Sequence, residues 1–286
     1  MGRCPSLASE YNNPRRRGVL YVALLFFAFL VLLPLYVLVV IAFGDPKQTL
    51  DTIYPALIPS KFTLINFVNA FRGYGSILIA AFYKSLETAF IVGALAILLG
   101  FHASFGLSKL PYKISGLIIG VLFFSTMIPS ISIAVPISVD FLKIGFLNET
   151  ALGLALAQEL TVLPLTVFLI MGAFQSIPKQ LEQQARVDGA SFMGALYGVL
   201  LPLAIPGMIS AFLLSWLMSW DEFTFAVILS PVHPTLPILI YVYGTGRGNI
   251  LTGAAFSLLV TVPVIVLTII LSRFIKGNYM TAGITG

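Results

Sequence analysis

Six long apolar runs constrain this chain more than any other feature of its sequence. Each is long enough to cross a bilayer as a helix, which takes about 20 residues. The runs cover residues 19–43, 85–107, 114–141, 151–174, 203–229 and 251–271. Charged residues make up only 9% of the chain, against about 25% in a typical soluble domain. The sequence therefore predicts an all-α polytopic membrane protein with six transmembrane helices in a lipid bilayer.

Basic residues near the ends of these runs predict the orientation of the chain. Arg15, Arg16 and Arg17 directly precede the first run, and Arg273 and Lys276 follow the last. Because Lys and Arg concentrate on the cytoplasmic side of membrane proteins, we expect both termini to be cytoplasmic. The first run exceeds the roughly 7–15 residues of a signal-peptide core, so we interpret it as a transmembrane helix.

The composition argues against several classes of function. Cys4 is the only cysteine, and His102 and His233 are the only histidines, so no disulfide, thiolate cluster or His-rich metal site is predicted. The pattern G-x-x-x-x-G-K-[ST] is absent, and no resident cofactor is expected. Asp221 and Glu222 point in different directions around a helix and make a poor acid–base pair. We therefore expect no enzyme. The net charge of +5 is explained by basic residues at cytoplasmic helix ends, so we do not expect a nucleic-acid-binding protein either.

One polar insert, residues 176–206, interrupts the apolar second half of the chain. Ser176 can cap a helix and Pro178 suits its first turn. Asp188-Gly189 should end that helix, because glycine adopts backbone geometries that other residues resist. Ser191 can cap a second helix, which carries Phe192, Leu196 and Val199 on one face. Such a helix pair is compatible with a knob that docks into a partner's groove, and equally with an amphipathic connector on the lipid surface.

The insert resembles the cytoplasmic coupling loop of the inner-membrane permease subunits of binding-protein-dependent ABC importers. That family pattern is roughly Glu-Ala-Ala, two residues, Asp-Gly-Ala, then an apolar run to Leu-Pro. The matching residues are Ala185, Asp188, Gly189, Ala190, Leu201 and Pro202. Gln183 and Gln184 stand where the family usually has Glu-Ala. The resemblance implies an importer-permease fold, and ATPase-coupling roles for Gln183, Gln184, Ala185, Asp188, Gly189, Ala190, Phe192 and Pro202.

The C-terminal tail narrows the resemblance to one subfamily. Lys276-Gly277 and Thr281-Ala282-Gly283 look like the close of carbohydrate-uptake permeases, and the chain is similar to the maltose-type second permease subunit. The implied organisation is a cytoplasmic tail (1–17), a six-helix permease domain (18–276) with a coupling loop (176–202), and a second cytoplasmic tail (277–286).

The same resemblance implies the partners. A second permease subunit would complete a pathway through a prokaryotic cell membrane, and an external binding protein would deliver a sugar. Two separate ATP-binding subunits would hold ATP and Mg. A permease for polyamines or another small solute is the alternative.

Polar residues within two of the spans are candidates for the wall of the pathway. In the fifth span, Ser215, Ser219 and Glu222 share one helical stripe, and Trp216 and Trp220 lie on the next. Aromatic faces beside hydroxyls suit sugar rings, but the acidic residues could instead cap or hydrogen-bond between helices. The candidate pathway-lining residues are Ser130, Ser215, Trp216, Ser219, Trp220 and Glu222.

Four further expectations concern local structure. The third span is predicted as a single helix bent by Pro129 and Pro136. Residues 63–71 are predicted as a short separate helix on the outer surface, and residues 230–249 as an outer loop. Lys84 and Glu87, at the outer end of the second span, could pair or reach the membrane surface.

Overall fold

The computed structural model of the chain describes residues 14–50, 61–246 and 250–279. Its helices are α1 (Pro14–Phe43), α2 (Pro46–Leu50), α3 (Ile65–Ser108), α4 (Tyr112–Ser125), α5 (Ser130–Ile144), α6 (Ala151–Ser176), α7 (Lys179–Val187), α8 (Phe192–Ala195), α9 (Leu201–Trp220), α10 (Thr224–Leu229), α11 (Leu236–Ile240) and α12 (Ile250–Tyr279). Two π-helical turns, Leu196–Leu200 and Tyr241–Gly246, extend this set. Within these ranges the only β-pairing is one isolated bridge between Gly44 and Phe62.

Long apolar helices confirm the predicted all-α membrane architecture. Five helical stretches are long and apolar enough to cross a bilayer: Arg17–Phe43, Ile65–Ser108, Ala151–Ser176, Phe192–Trp220 and Ile250–Phe274. A sixth crossing results if α4 and α5 together form one broken span. Most of the predicted N-terminal tail, and the Thr281-Ala282-Gly283 motif, lie outside the described residues.

The predicted third span is broken rather than gently kinked. α4 and α5 meet at an angle of 79° across a short break. Pro129 lacks a backbone N–H and disfavours helical geometry in the residue before it, so α4 ends at Ser125 and α5 begins at Ser130. Pro136 lies inside α5. The prediction of one helix bent jointly by both prolines was therefore wrong.

Two other expectations need correction. Residues 65–71 do not form a separate surface helix, because they are the first turns of α3, a 44-residue helix that runs to Ser108. No proline occurs between Pro59 and Pro111 to stop it, and the glycines within it do not break it. The predicted outer loop 230–249 contains α11 and the π-helical turn that follows it.

The chain divides into two compact units. The first comprises Met1–Gly73 and Tyr243–Leu259. Within its described part, the Asn66 side-chain amide donates hydrogen bonds to the carbonyls of Ala42 at 3.0 Å and Gly44 at 2.9 Å. These bonds satisfy carbonyls that the end of α1 would otherwise leave unpaired, and they fix the start of α3 beside that end.

The second unit comprises Tyr74–Val242 and Val260–Gly286, and its interior is built on α3, α6 and α9. Small residues allow these helices to approach closely, as is usual between membrane helices. A Cβ added to Gly93 of α3 would overlap the Phe212 ring of α9, and one added to Gly207 of α9 would overlap Ala173 of α6. The three helices therefore hold the polar loop between α6 and α9 on a rigid base.

The close contact at Gly207 predicts the cost of adding a side chain there. Gly207→Val should lower the stability of the purified protein by about 1–3 kcal/mol, because the new side chain forces α6 and α9 apart. Thermal unfolding in detergent measures the loss. Gly172→Val is the matched control, since a Cβ at Gly172 of α6 meets no atom within 4 Å. Equal loss of stability in both variants would contradict this packing.

Candidate coupling site and pathway residues

The first helix of the polar loop, α7, matches its predicted position but not its predicted cap. α7 runs from Lys179 to Val187. Ser176 is instead the last residue of α6, and its hydroxyl donates to the carbonyl of Ala173 at 2.7 Å. Pro178 precedes α7 without a side-chain cap. The serine closes the helix before the loop because its hydroxyl reaches back to a carbonyl of the final turn.

The turn after α7 confirms the predicted break and the predicted second cap. Gly189 has φ of +93°, a conformation that side chains with a Cβ rarely adopt. The backbone N–H of Ala190 donates to the carbonyl of Ala185 at 2.9 Å and closes the turn. The Ser191 hydroxyl then accepts from the N–H of Gly194 at 3.0 Å and caps α8.

The second loop helix is continuous with the following span. α8 passes through the π-helical turn Leu196–Leu200 directly into α9, giving one helical stretch from Phe192 to Trp220. Pro202 lies directly after the π-helical turn, and because it has no N–H it cannot donate to a carbonyl of that turn. Movement of this end of the loop therefore acts directly on α9.

The loop presents an apolar tip to its surroundings. No residue of α7 is buried. Val187 is 87% exposed, Met193 57% and Phe192 45%. Of the residues to which the resemblance assigns coupling roles, Ala185 and Ala190 are half-buried and the others are exposed. Exposed apolar side chains on a polar loop are typical of a surface that a partner covers, and the coupling assignment stays a prediction.

Contacts between the loop and α3 were not found by sequence reasoning. Lys109, just after α3, forms an ion pair with Glu182 of α7. The Phe105 ring lies 5.4 Å from the Phe192 ring, and His102 Nε2 lies 3.0 Å from the Tyr197 hydroxyl. We call these three pairs the α3 clamp. Beside the clamp lies a cavity of about 700 Å³, which α7 lines with Lys179, Glu182, Gln183 and Arg186.

Two of the candidate pathway residues connect α9 to α6 by hydrogen bonds. The Ser215 hydroxyl lies 2.7 Å from the Thr166 hydroxyl, and the Ser219 hydroxyl donates to Gln158 Oε1 at 2.5 Å. All four residues are buried within the chain. The interhelical hydrogen bonding that the sequence allowed is thus present for both serines.

The two candidate tryptophans stack on one another inside the second unit. The Trp216 and Trp220 rings have centroids 4.8 Å apart and planes 13° apart. Phe90 and Phe82 of α3 each contact one of them edge-on at 6.0 Å. Trp216 is fully buried and Trp220 is 3% exposed. These rings pack α9 against α3, and their contact with a solute stays a prediction.

Glu222 does not share a helical stripe with the two serines, so that expectation was wrong. α9 ends at Trp220, and the Glu222 carboxylate caps the next helix, α10, by accepting from the N–H groups of Phe225 at 2.8 Å and Ala226 at 3.1 Å. The helix breaks here because a carboxylate at a helix start satisfies free N–H groups. The capping alternative is confirmed for Glu222. Ser130, half-buried, begins α5 just after the break that follows α4.

The sequence allowed Lys84 to pair with Glu87 or to reach the membrane surface, but its hydrogen bonds go to segments that are distant in sequence. Its ammonium donates to the carbonyls of Glu149 at 3.0 Å and His233 at 2.7 Å, and also contacts the Ser230 hydroxyl. The Glu149 carboxylate accepts from the N–H groups of Val232 and His233, each at 3.1 Å. We call Lys84, Glu149, Ser230, Val232 and His233 the Lys84 cluster.

The charge state of Glu149 is set within this cluster. Burial acts to raise the pKa of the Glu149 carboxyl, but the hydrogen bonds from Val232, His233 and Ser230, together with the Lys84 charge, hold it below its usual value. A carboxyl with a lowered pKa contributes stability above its unfolded pKa and loses it only as the pH falls through its folded pKa. The cluster should therefore stay intact throughout neutral and mildly acidic conditions.

A buried acid in α6 was also not recognised as distinctive from sequence. Glu159 is 4% exposed, and neither of its carboxyl oxygens has a hydrogen-bond partner among the described residues. It lies between Ala155 and Val162, which pack against α3. Sequence spacing places it on that face of α6, but only the packing shows that it is enclosed.

Comparison with known proteins identifies the family. The family described as "Binding-protein-dependent transport system inner membrane component" matches residues 95–277, well over half of the chain. The chain belongs to this family. The match includes the coupling loop, the α3 clamp and the spans from α4 to α12, so the permease is a multi-pass inner-membrane transport component.

Individual relatives extend the similarity over most of the permease. The trehalose transport system permease protein SugB of Mycobacterium tuberculosis (strain CDC 1551 / Oshkosh) is 32% identical over 80% of this chain and 85% of its own length. The trehalose/maltose transport system permease protein MalG of Thermococcus litoralis is 26% identical over 94% of this chain and 96% of its own.

A solved structure has the same fold. It is a bacterial ABC transporter involved in the import of the acidic polysaccharide alginate, and one of its chains superposes with a TM-score of 0.69. The match covers 96% of the permease and all of that chain at 18% identity. At this identity the likeness confirms the importer-permease fold and carries nothing about the substrate.

We expect replacement by methionine to have opposite effects on stability at two adjacent buried residues, Gln158 and Glu159. Gln158→Met removes the acceptor of the Ser219 hydroxyl and should destabilise the permease by about 1 kcal/mol. Glu159→Met replaces a buried group that lacks a partner with an apolar one, and should leave stability unchanged or raise it. Thermal unfolding in detergent compares the two, and a larger loss in Glu159→Met would show that the carboxyl has a stabilising role.

Proposed function

We propose that the permease is one of two related permease subunits that together form the pathway of an ATP-driven sugar importer. The relatives SugB and MalG are permeases for trehalose and for trehalose or maltose, as their names state. Because this similarity extends over most of each chain, a sugar is the solute class best supported. The carbohydrate-type tail motif in the sequence agrees with it.

The proposed partners follow from the family and from the loop surface. An external binding protein delivers the sugar, as the family's description implies. Two separate ATPase subunits bind on the cytoplasmic side and hold the ATP and Mg, while this chain holds neither. One of them covers the exposed apolar tip of the loop, including Val187, Phe192 and Met193. Gln183 stands in this interface where the family usually has an acid, so contact there depends on hydrogen bonds rather than on charge.

The orientation required by these partners places the coupling loop and both termini in the cytoplasm. It agrees with the arginines before α1 and with Arg273 near the end of α12. The Lys84 cluster then lies toward the external end of the second unit, because α3 extends from the clamp to Lys84 over 18 residues beyond His102, about 27 Å of helix.

The loop geometry supports a mechanical role in transport. α6 leads into α7 across two residues, and α8 leads into α9 without a break. When the ATPase subunits close, a displacement of the loop must therefore move both spans. Packed helices of this kind shift as rigid bodies, and such a shift can switch access to the pathway from one side of the membrane to the other.

Pathway contact is proposed for Ser130, Ser215, Trp216, Ser219, Trp220 and Glu222. In the present arrangement α3 and α6 enclose the two serines and both tryptophans, so a sugar can reach them only if these helices separate during the cycle. Ser130, at the break between α4 and α5, is half-buried. Aromatic faces beside hydroxyls are suited to sugar rings once exposed.

The choice between a sugar and a polyamine is open to a direct experiment. The permease, its partner permease and the ATPase subunits are reconstituted in liposomes with the cognate binding protein, and ATP hydrolysis is measured with trehalose, maltose and spermidine. We expect trehalose or maltose to stimulate hydrolysis and spermidine to have no effect. Stimulation by spermidine alone would favour the alternative, a polyamine permease.

A substitution at Gly189 tests the coupling role. Gly189→Pro fixes φ near −65°, far from the observed +93°, and should abolish sugar uptake while the permease still inserts into the membrane. Gly189→Asn is the control, because Asn tolerates positive φ, and it should keep most of the uptake. Normal uptake by the proline variant would remove the loop from the mechanism.

A further inference from the structure

We propose that α3 transmits the movement of the coupling loop to the opposite end of the bundle, with Lys84 as the positioning residue at that end. This inference rests on the proposed function, since it requires ATPase subunits that move the loop. Three observations carry it: the α3 clamp, the unbroken helix between Lys84 and the clamp, and the Lys84 cluster.

The α3 clamp fastens the loop to α3 at separate points. His102 and Phe105 lie three residues apart on one face of α3, and Lys109 follows directly after the end of that helix. Their partners Tyr197, Phe192 and Glu182 lie on the π-helical turn, on α8 and on α7 respectively. Because α3 thus binds both loop helices and the turn into α9, the loop cannot shift without moving the end of α3.

The part of α3 between the clamp and Lys84 can transmit this movement. It contains no proline, and helices bend sharply mainly at proline, at π-turns or where a group inserts into the hydrogen-bond ladder. Gly93, the residue most prone to flex near its centre, is packed against Phe212 of α9. Movement at His102 should therefore reach Lys84, about 27 Å along the helix.

At the other end, Lys84 joins α3 to two segments that are distant in sequence. Its acceptors are the carbonyls of Glu149 and His233 and the Ser230 hydroxyl. The neighbouring Ser85 hydroxyl accepts from the N–H of Leu236 at 2.9 Å. The loop before α6 and the connection from α10 to α11 are thereby attached to one side of α3, around a cavity of about 530 Å³.

α9 is a weaker route to these segments. It is continuous with the loop, but it ends at Trp220, and the chain passes through a non-helical stretch at Asp221–Phe223 before α10 begins. The cluster lies beyond that interruption, at Ser230 and His233. α3 has no such interruption between its two sets of contacts, and it alone among the described helices contributes a side chain to both the clamp and the Lys84 cluster.

The experiment uses the full reconstituted assembly and compares Lys84→Met, Lys84→Arg and Lys143→Met. ATP hydrolysis is measured with and without the binding protein loaded with trehalose. Lys84→Met removes the cation but keeps an apolar stem of similar length, whereas Lys84→Arg keeps a cation that can donate hydrogen bonds. Lys143→Met is the control, because in the described part of the chain Lys143 pairs only with the exposed Asp140, at 3.6 Å.

We expect Lys84→Met to lower the stimulation ratio about tenfold, the scale of a lost hydrogen bond to a charged group, while the unstimulated rate and the yield of assembly stay as in the wild type. Lys84→Arg should keep most of the stimulation, and Lys143→Met all of it. A wild-type ratio in Lys84→Met, or an equal fall in Lys143→Met, would overturn the inference. Absence of stimulation in the wild type would instead contradict the proposed function.

A second measurement does not depend on the sugar. Spin labels are placed at positions 83 and 232 in a Cys4→Ser background, since Tyr83 is 65% and Val232 73% exposed. If the cluster follows α3, the label distance should be the same without nucleotide and after trapping with ATP and vanadate. In Lys84→Met it should shift or broaden on trapping. Identical distance distributions with Met and Lys at position 84, in both conditions, would refute the role of Lys84.

Discussion

The need for polar groups to find hydrogen-bond partners inside the protein, where no water is present, is the constraint on which the rest of this structure depends. Within hydrocarbon every backbone polar group must be satisfied inside the protein, which leaves helices as the form available to these apolar runs. Among side chains, Thr166 with Ser215, and Gln158 with Ser219, form such bonds in pairs between α6 and α9, whereas the buried Glu159 carboxyl has no partner among the described residues. These pairs fix the register of the two spans that carry the coupling loop.

Regular helix is interrupted at positions close to residues for which a function is proposed. The break between α4 and α5, the cap formed by Glu222, and the positive φ of Gly189 each interrupt a regular helix. Backbone N–H groups beside each interruption still have acceptors: the Ser125 carbonyl for Ile128, the Glu222 carboxylate for Phe225 and the Ala185 carbonyl for Ala190. The interruptions divide the bundle into rods that can shift against one another without losing their internal hydrogen bonds.

Sequence reasoning succeeded where local chemistry decides the structure. Five of the predicted spans, the turn at Asp188-Gly189 and the cap at Ser191 depend on residues within a few positions of each other. It failed where two local signals competed: Pro129 broke a span that was predicted to bend, and α3 continued through residues that were predicted as a separate helix. It also missed contacts between distant positions, such as Lys84 with His233 and Lys109 with Glu182, because no single segment contains a signal for them.

The same contrast between local patterns and contacts between distant positions explains how much of the candidate site could be predicted from the sequence. The family resemblance placed the coupling residues on a surface loop, and the structure places all of them but Pro202 on α7, α8 and the turn between them, with Pro202 at the start of α9. The surroundings of Trp216 and Trp220 could not be read from the sequence, because an aromatic stripe looks the same whether it faces a pathway or the rings of a neighbouring helix. Only the packing of Phe82 and Phe90 distinguishes these cases in the present arrangement.

The π-helical turn at Leu196–Leu200 has a consequence for how such proteins diversify. A π turn contains one more residue than an α turn, so everything after it is rotated by about 100° relative to an uninterrupted helix. The π turn therefore absorbs one residue more than regular α-helix would hold. Loss of a single residue here would return the stretch to α-helix while the loop helix and the span keep their relative facing.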